Sequence, residues 1–174
     1  MKIAPSILDA NWQSLQSEID SVSRVDRIHL DIMDGHYVPN LSFGAPALKH
    51  INWPVEIEAH LMVNNPGVFF DMYQNLGCTT IAFHIENTGT GEAVKLLKEL
   101  QGRGVKAGVT VDGYTDVAFL NQEILLTADQ ILLMSVKAGF GGQAFMTHVV
   151  EKVKWLRANG FKGEIEIDGG VNLE

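Results

Sequence analysis

The stretch HLDIMDG, residues 29–35, closes a short β-rich segment and places a histidine, two aspartates and a methionine where a strand would end. Similar endings recur along the chain: EAHLMV at 58–63, FHIE at 83–86, LLMSVKAGFGG at 132–142 and EIDGG at 166–170. In a (β/α)8 barrel the carboxyl ends of all strands meet at one mouth, where barrel enzymes carry their chemistry. An open, doubly wound sheet would concentrate polar endings at one switch point. The recurrence therefore favours a (β/α)8 barrel.

Outward from these endings, short β-rich runs alternate with longer amphipathic stretches. The candidate strands cover residues 3–8, 27–32, 55–62, 80–84, 106–111, 130–134 and 164–168. Residues 91–102 and 149–160 have apolar side chains at helical spacing and end in glycine, as helices often do. This alternation predicts right-handed βαβ units and a parallel sheet.

Chain length sets a limit on the barrel. Such barrels usually need about 200 to 250 residues, whereas this chain has 174. We expect a single (β/α) barrel domain over residues 1–174, of TIM-barrel type and incomplete at its C-terminal end, without the eighth strand and last helices. The first and seventh candidate strands would then have open edges that invite pairing. We expect either that residues after Glu174 exist in the natural protein or that another chain covers the gap, as in a homo-oligomer.

Composition excludes several classes of protein. With 13 basic and 21 acidic residues the net charge is −8, a poor footprint for nucleic acid. No apolar run approaches the roughly 18 residues of a membrane-spanning helix, and the first residues lack the pattern of a secretory signal. The single cysteine, Cys78, suits a reducing compartment. We expect a cytoplasmic protein with no nucleic-acid or membrane partner.

Two histidines and two aspartates form a candidate metal site. Residues i and i+2 of a strand point to the same side, so His29 and Asp31 share one face, as do His60 and Met62. Asp168 ends the last candidate strand. Two imidazoles and two carboxylates suit Zn, Fe, Mn or Co. One such histidine alone is more often a hydrogen-bonded structural residue, but the combination at strand ends favours one divalent metal ion.

Other polar residues on these strands have plainer interpretations. Three glutamates at strand spacing are interpreted as partners of the site or of the core network: Glu56, Glu58 and Glu166. His84 and Glu86 end the fourth candidate strand and either orient a ligand or have a structural role. Three methionines at strand ends suggest a soft apolar wall around a reacting centre: Met33, Met62 and Met134.

The run KAGFGGQ, residues 137–143, follows the sixth candidate strand and precedes a helix. Glycine-rich loops expose backbone N–H groups that can hold a phosphate, and phosphate sites of barrels lie among the late βα loops. The pattern is not GxxxxGK[ST], which disfavours a nucleotide P-loop.

Together these motifs resemble the ribulose-phosphate 3-epimerase family, with its relatives that act on other ketose phosphates. The resemblance covers nearly the whole chain: IAPSIL at 3–8, HLDIMDGHYVPNLSFG at 29–44, AHLMV at 59–63, FHIE at 83–86, KAGV at 106–109, GFGGQAF at 139–145 and IEIDGGV at 165–171. The second and last of these are highly specific, and all occur in the family's order.

The resemblance implies a (β/α)8 barrel that holds one divalent metal ion through His29, Asp31, His60 and Asp168. It implies that Asp31 and Asp168 are the acid/base residues, one on each face of a sugar phosphate. It further implies these substrate-binding residues: Ser6, His60, Met33, Met62, Met134, Gly139, Gly141, Gly142, Gln143, Gly169 and Gly170. The implied reaction inverts C3 of D-ribulose 5-phosphate through an enediolate to give D-xylulose 5-phosphate.

Two segments depart from the family pattern and leave the substrate open. Residues 111–116 read VDGYTD where relatives usually read LNP followed by Thr-Pro, and Lys137-Ala138 replaces Asn-Pro or Asp-Pro. Lys137 either adds charge to a phosphate site or is solvated. Three alternatives remain: an allulose 6-phosphate 3-epimerase, a phosphate-binding lyase such as a decarboxylase, and a non-catalytic truncated barrel that binds sugar phosphate. A bound metal would separate the epimerases from the lyase, whose relatives use a Lys/Asp network.

Overall fold

The computed structural model describes residues 1–172 and contains one parallel sheet. Its strands follow each other in chain order, each paired with the next. They are β1 (Arg27–Met33), β2 (Glu56–Met62), β3 (Cys78–His84), β4 (Lys106–Val111), β5 (Gln130–Met134) and β6 (Glu164–Asp168). Six of the seven candidate strands are therefore present, with bounds shifted by at most two residues.

Helices separate the strands as the alternation predicts. They are α1 (Leu15–Ser21), α2 (Ala45–Leu48), α3 (Phe70–Leu76), α4 (Ile85–Gly102), α5 (Gln122–Thr127) and α6 (Val149–Ala158), with short 3-10 turns at Trp12–Ser14, Pro66–Phe69 and Val117–Phe119. Helix α4 begins six residues before the predicted 91–102 segment, and Gly89 (φ 69°) bends it near its start. None of the helices among residues 1–172 combines the length and apolar character needed to cross a membrane.

The two faces of the sheet carry different side chains. In β1 the alternate residues Ile28, Leu30 and Ile32 belong to the main hydrophobic core, which also includes buried residues of helices α1 to α6. The residues between them, His29 and Asp31, are buried on the opposite face. A strand buried on both faces is typical of a barrel wall, and the second face therefore lines the interior.

The sheet curves until its first and last strands face each other. Although β1 and β6 are not paired, Nη2 of Arg27 lies 2.7 Å from Oε1 of Glu164. Nδ1 of His29 lies 3.3 Å from Oε1 of Glu166. An open sheet would hold these outer strands far apart, and it would also reverse its strand order at a switch point. The geometry is that of a partial barrel and confirms the predicted fold class.

The predicted first strand at residues 3–8 is wrong in extent. This segment makes only one bridge to β1, between Ser6 and His29. The amide of His29 donates to the carbonyl of Pro5 at 2.9 Å, and the amide of Ile7 donates to the carbonyl of His29 at 3.3 Å. Because Pro5 has no N–H group, it interrupts the alternation of donors on which a regular ladder depends.

Strand β6 pairs only with β5 among the described residues, and all five of its residues are half-buried. The extent of the domain and the oligomeric state stay predictions.

Candidate active site

Strand register brings the four candidate metal ligands together. In the β1–β2 pair, Asp31 lies opposite His60 and Met33 lies opposite Met62, while the curvature of the sheet brings Asp168 across from β6. His29, Asp31, His60 and Asp168 each offer a ligand atom, and all four atoms lie within 4.8 Å of one another. Nδ1 of His60 is 3.2 Å from Oδ1 of Asp31 and 3.6 Å from Oδ2 of Asp168. The cluster is able to hold a metal ion.

His29 supplies the clearest test of whether these residues fit a metal. Its Nδ1–H group donates to Oε1 of Glu58 at 3.0 Å, so in the neutral ring the lone pair lies on Nε2. Nε2 is buried, has no hydrogen-bond partner among the described residues, and lies 3.4 Å from Oδ1 of Asp31. A histidine held by a carboxylate on one nitrogen and turned to the cluster with the other is the usual arrangement of a metal ligand. The donor set therefore fits a divalent cation.

The charges of the surrounding carboxylates also favour a bound cation. Burial lowers the pKa of His29, but the negative charge of Asp31 and the close contacts with Asp31, Glu166 and Glu58 outweigh burial and raise it well above its ordinary value. Burial raises the pKa of Asp168, and the Asp31 charge adds to that increase, while the charge of His29 opposes it. Four carboxyl groups thus surround one buried imidazole. Such a site stabilises positive charge, whether a proton on His29 or a bound cation.

Asp31 and Asp168 differ in their surroundings. Only 8% of the Asp31 side chain is exposed, and Oγ of Ser6 donates to its Oδ2 at 2.5 Å. Burial alone would raise the pKa of Asp31, but the charge and close contact of His29 and the hydrogen bond with His60 lower it well below its ordinary value. The Asp168 side chain is 24% exposed. One carboxylate is therefore fixed and buried, and the other has access to solvent.

The glutamates below the cluster divide into two groups. Glu58 accepts a hydrogen bond from Nη1 of Arg27 at 2.6 Å, and Nε2 of Gln130 donates to Oε2 of Glu166 at 2.6 Å. Both glutamates contact His29, as the interpretation of site partners expects. The same interpretation is wrong for Glu56, which is exposed at the start of β2. Its spacing in the strand places it on the same face as Glu58, but it lies at the end of the barrel opposite the mouth, where solvent reaches it.

A second chain of contacts extends from His60. Its Nε2 lies 2.9 Å from Nε2 of His84, whose Nδ1 lies 3.2 Å from Oε2 of Glu86 and 2.8 Å from the hydroxyl of Tyr37. Oε1 of Glu86 in turn accepts a hydrogen bond from the amide of Asp112 at 2.7 Å. His84 and Glu86 therefore contact the four candidate metal ligands indirectly, through His60.

A cleft of about 140 Å³ opens above the cluster at the mouth of the barrel. Most of the predicted site residues line it: Ser6, Asp31, Met33, Met62, Met134, Gly139, Gly141, Gly142, Gln143, Asp168, Gly169 and Gly170. His60 lies beneath the cleft, fully buried, and is not part of its lining. The three methionines are buried with Val38 and Val136 in a small apolar cluster of their own, which forms one wall.

The glycine-rich end of the cleft presents unpaired backbone donors. Among contacts between described residues, no amide from Gly139 to Phe145, nor that of Gly169 or Gly170, donates a hydrogen bond. Nε2 of Gln143 donates to the carbonyls of Lys137 and Phe140 at 2.7 Å each, so this side chain shapes the loop. A glycine-rich cleft wall whose amides have no partners among the described residues is typical of an anion site.

The sequence did not indicate four further lining residues: Leu8, Asp9, Val136 and Phe140. Leu8 and Asp9 follow directly on the candidate first strand, so the rule that strand ends meet at the mouth was a usable signal for them. Lys137, left open as a phosphate ligand, is exposed and does not line the cleft.

Comparisons with known proteins identify the family of the chain. The chain matches the ribulose-phosphate 3-epimerase family over residues 2–174. It is 38% identical to a ribulose-phosphate 3-epimerase of Mycobacterium leprae (strain TN), a match that covers 99% of this chain and 78% of that protein. It is 36% identical to the enzyme of the same name from Helicobacter pylori (strain J99 / ATCC 700824), covering 99% of this chain and 81% of that protein.

Solved structures with similar folds include the tryptophan synthase complex of Pyrococcus furiosus, with a TM-score of 0.61 at 13% identity over 98% of this chain and 79% of that one. The tryptophan synthase alpha subunit of Campylobacter jejuni gives a TM-score of 0.57 at 11% identity over 97% and 87% of the two chains. Such low identities show the fold alone. The family match and the two epimerases show more, and confirm the resemblance carried by the motifs: this chain belongs to the ribulose-phosphate 3-epimerase family.

Proposed function

We propose that this chain is a metal-dependent epimerase that inverts C3 of D-ribulose 5-phosphate to give D-xylulose 5-phosphate. Family membership makes it a carbohydrate isomerase of the epimerase type, and its relatives support ribulose phosphate as substrate. The observation that carries the finer proposal is the pair Asp31 and Asp168. The two carboxylates approach the same cleft from β1 and β6 and border the same buried donor set.

Two carboxylates answer the main chemical demand of the reaction. Inversion beside a ketone removes a proton from one face of the carbon and supplies a proton on the other, which one base cannot easily do. Asp31, held by Ser6 and His60, serves one face, and the more exposed Asp168 serves the other. Each alternates between base and acid according to the direction of the reaction.

His29, Asp31, His60 and Asp168 would hold the metal ion, for which Zn, Fe, Mn and Co all suit the donor set. When bound, the cation supplies positive charge that stabilises the enediolate oxygens. The protein's own contribution is to orient the ligands from rigid strands. The wall of Met33, Met62 and Met134 keeps one side of the cleft apolar.

The free amides of the glycine-rich loop are assigned to the phosphate end of the substrate. This assignment rests on their place in the same cleft as Asp31 and Asp168, and on their lack of hydrogen-bond partners among the described residues. The cleft contains no lysine among its described lining residues. That composition disfavours the lyase alternative, which depends on a Lys/Asp network.

The test is a coupled epimerase assay on ribulose 5-phosphate, with metal analysis of the same sample. We expect chelation to abolish turnover and one of the four metals to restore it. Full turnover by metal-free protein would reject metal dependence, and absence of turnover with every metal would favour the non-catalytic alternative.

Asp31→Asn and Asp168→Asn test the two-base assignment. Each is expected to lower kcat by at least roughly 10²- to 10⁴-fold, the usual contribution of general acid–base catalysis. Metal content must be measured for each variant, because both residues are also ligands. Asp20→Asn, on the exposed face of α1, is the matched control and should leave kcat unchanged. Near-normal turnover by either metal-loaded site variant would reject the assignment.

A further inference from the structure

A buried lysine lies beside the mouth of the barrel, outside the lining of the cleft. Lys152, on α6, is 8% exposed, and its Nζ donates to the carbonyls of Asp112 and Gly113 at 2.8 Å each. A carbonyl oxygen only accepts hydrogen bonds, so both contacts have one possible direction. Because a buried ammonium is costly without hydrogen bonds, these contacts hold Lys152 and the turn after β4 together. That turn, residues 112–115, is closed by the bond from the Thr115 amide to the carbonyl of Asp112 at 3.1 Å.

The turn holds the start of the glycine-rich loop. Oδ1 of Asp112 accepts from the amide of Tyr114 at 3.0 Å, which fixes the carboxylate within its own turn. Oδ2 of the same carboxylate accepts from the amide of Ala138 at 3.3 Å. Ala138 is buried, and Gly139, the next residue, lines the cleft. The run of free amides therefore begins directly after an amide that Asp112 binds.

The end of the same loop also contacts the turn. The Met146 amide, directly after the free amides, donates to the carbonyl of Ser135 at 2.8 Å. A Cβ atom built on Gly113 would lie 2.7 Å from Sδ of Met146 and 3.2 Å from the carbonyl oxygen of Val136. Nε2 of His148 lies 2.8 Å from the carbonyl oxygen of Gly113. The turn therefore lies against the segments on both sides of the loop.

Such support matters because the loop is rich in glycine. Gly139 (φ 112°) and Gly142 (φ 70°) have positive φ, and glycine loses more conformational freedom on ordering than any other residue. An anion binds more tightly when the groups that contact it are already ordered. A fixed turn on both flanks reduces the freedom that phosphate binding would otherwise remove.

We propose that Lys152 and Asp112 are positioning residues for the phosphate end of the substrate. Lys152 fixes the turn, and the Asp112 carboxylate fixes the loop to that turn through the amide of Ala138. Neither Lys152 nor Asp112 is among the described residues that line the cleft, so both act through the loop and not by touching the substrate. The proposal rests on the proposed function, which assigns this loop to the phosphate.

The first experiment separates the two ends of the cleft with Asp112→Ala. This variant removes the carboxylate but keeps the Asp112 amide, which donates to Glu86. We expect the KM for ribulose 5-phosphate and the Ki of inorganic phosphate to rise roughly three- to tenfold, the range of one hydrogen bond. We expect kcat and the affinity for Co²⁺ to stay within about twofold of the wild-type values. Unchanged KM and Ki would overturn the proposal, and so would an equal loss of phosphate and Co²⁺ affinity, which would indicate general damage to the mouth.

Lys152→Met tests the other contact of the turn. Methionine keeps an apolar chain of similar length but donates no hydrogen bond, so we expect the same rise in KM and Ki. Lys154→Met is the matched control, because Lys154 lies on the same helix with 67% of its side chain exposed and pairs with Glu151. It should change neither constant, and an effect as large as that of Lys152→Met would contradict the proposal. If Lys152→Met is unfolded at the assay temperature, Asp112→Ala decides alone.

Amide measurements on the wild-type protein test the contact itself. The Ala138 amide should exchange with deuterium more slowly than the amide of Gly139, and Asp112→Ala should remove that protection. Titration of ¹⁵N-labelled protein with inorganic phosphate should shift the amide signals of residues 139–142. If the wild type binds no phosphate, the assignment of the loop fails and the proposal fails with it. If the wild type binds phosphate and both variants bind it equally well, only the positioning roles fail.

Discussion

Gly170→Ala should lower both stability and substrate affinity more than a glycine substitution at a position with open space around it. Gly170 has φ +64°, and a Cβ atom built on it would lie 2.7 Å from the carbonyl oxygen of Gln143 and 3.0 Å from the amide nitrogen of Phe145. Both neighbours are backbone atoms, so neither can rotate away as the end of a side chain could. The methyl group therefore fits only if the segment around Gln143 moves.

Two terms set the size of the effect. The left-handed backbone costs an alanine about 1–2 kcal/mol, and overpacking costs about 1–3 kcal/mol more. Gly104→Ala isolates the first term, because Gly104 has φ +77° and no atom lies within 4 Å of the position that its Cβ would take. The difference between the two variants thus measures the close approach. Each kcal/mol corresponds to about 2–4 °C in Tm for a chain of this size.

Differential scanning calorimetry and the coupled assay measure both consequences. We expect Gly170→Ala to unfold at a lower temperature than Gly104→Ala. We also expect it to lower kcat/KM at least about tenfold, because a tenfold loss requires only about 1.4 kcal/mol of lost transition-state binding. Most of that loss should be in KM, because the displaced loop is assigned to the phosphate end. A Gly170→Ala protein that matches Gly104→Ala in Tm and the wild type in KM would refute the reasoning.

Three further outcomes are expected. Burial raises the pKa of Cys78 to about 12, so the native thiol should react with Ellman's reagent at pH 8 roughly a thousandfold more slowly than the unfolded chain; equal rates would contradict this. Arg27→Met removes the cation beside the buried Glu58 carboxylate and should cost about 3–5 kcal/mol in urea unfolding, whereas a loss below about 1 kcal/mol would mean that Glu58 is neutral in the native state. Burial raises the pKa of Glu86, but the hydrogen bond and charge of His84 outweigh burial and lower this pKa to about 2. The ionised carboxylate therefore contributes about 3 kcal/mol of stability above pH 4.5, and this contribution is lost as the pH falls towards 2. Glu86→Gln should flatten the plot of stability against pH in that range, and an unchanged slope would exclude the effect.

Much of the site could be predicted because its residues end strands. His29, Asp31 and His60 occupy positions whose side and end follow from period-two alternation and from the rule that parallel strands finish at one mouth. The helix bounds were harder, because α4 begins well before its periodic apolar face and bends at Gly89. The extent of the strand at residues 3–8 is wrongly predicted because the apolar pattern was given more weight than Pro5, which has no N–H group to donate to a ladder.

Contacts between distant segments lay beyond the reach of sequence patterns. Alternation places Glu56 and Glu58 on one face, but only the height of each residue along the barrel decides that Glu58 is buried beneath His29 while Glu56 is exposed. The contact of Glu86 with the site through His84 and His60 likewise depends on the rotation of two rings. The bond from Ser6 to Asp31 joins residues 25 apart, and nothing in their local patterns couples them.

Because β1 and β2 are paired residue by residue, an insertion or deletion within either strand changes the site in whole steps and not gradually. Asp31 faces His60 and Met33 faces Met62 because the two strands are aligned without a shift at these positions. A one-residue slip of β2 would turn His60 outward and replace it with an apolar neighbour, Ala59 or Leu61. Changes in length can therefore accumulate in the connecting loops without altering the site. The loss of a single residue within β2 would instead remove His60 from the site altogether.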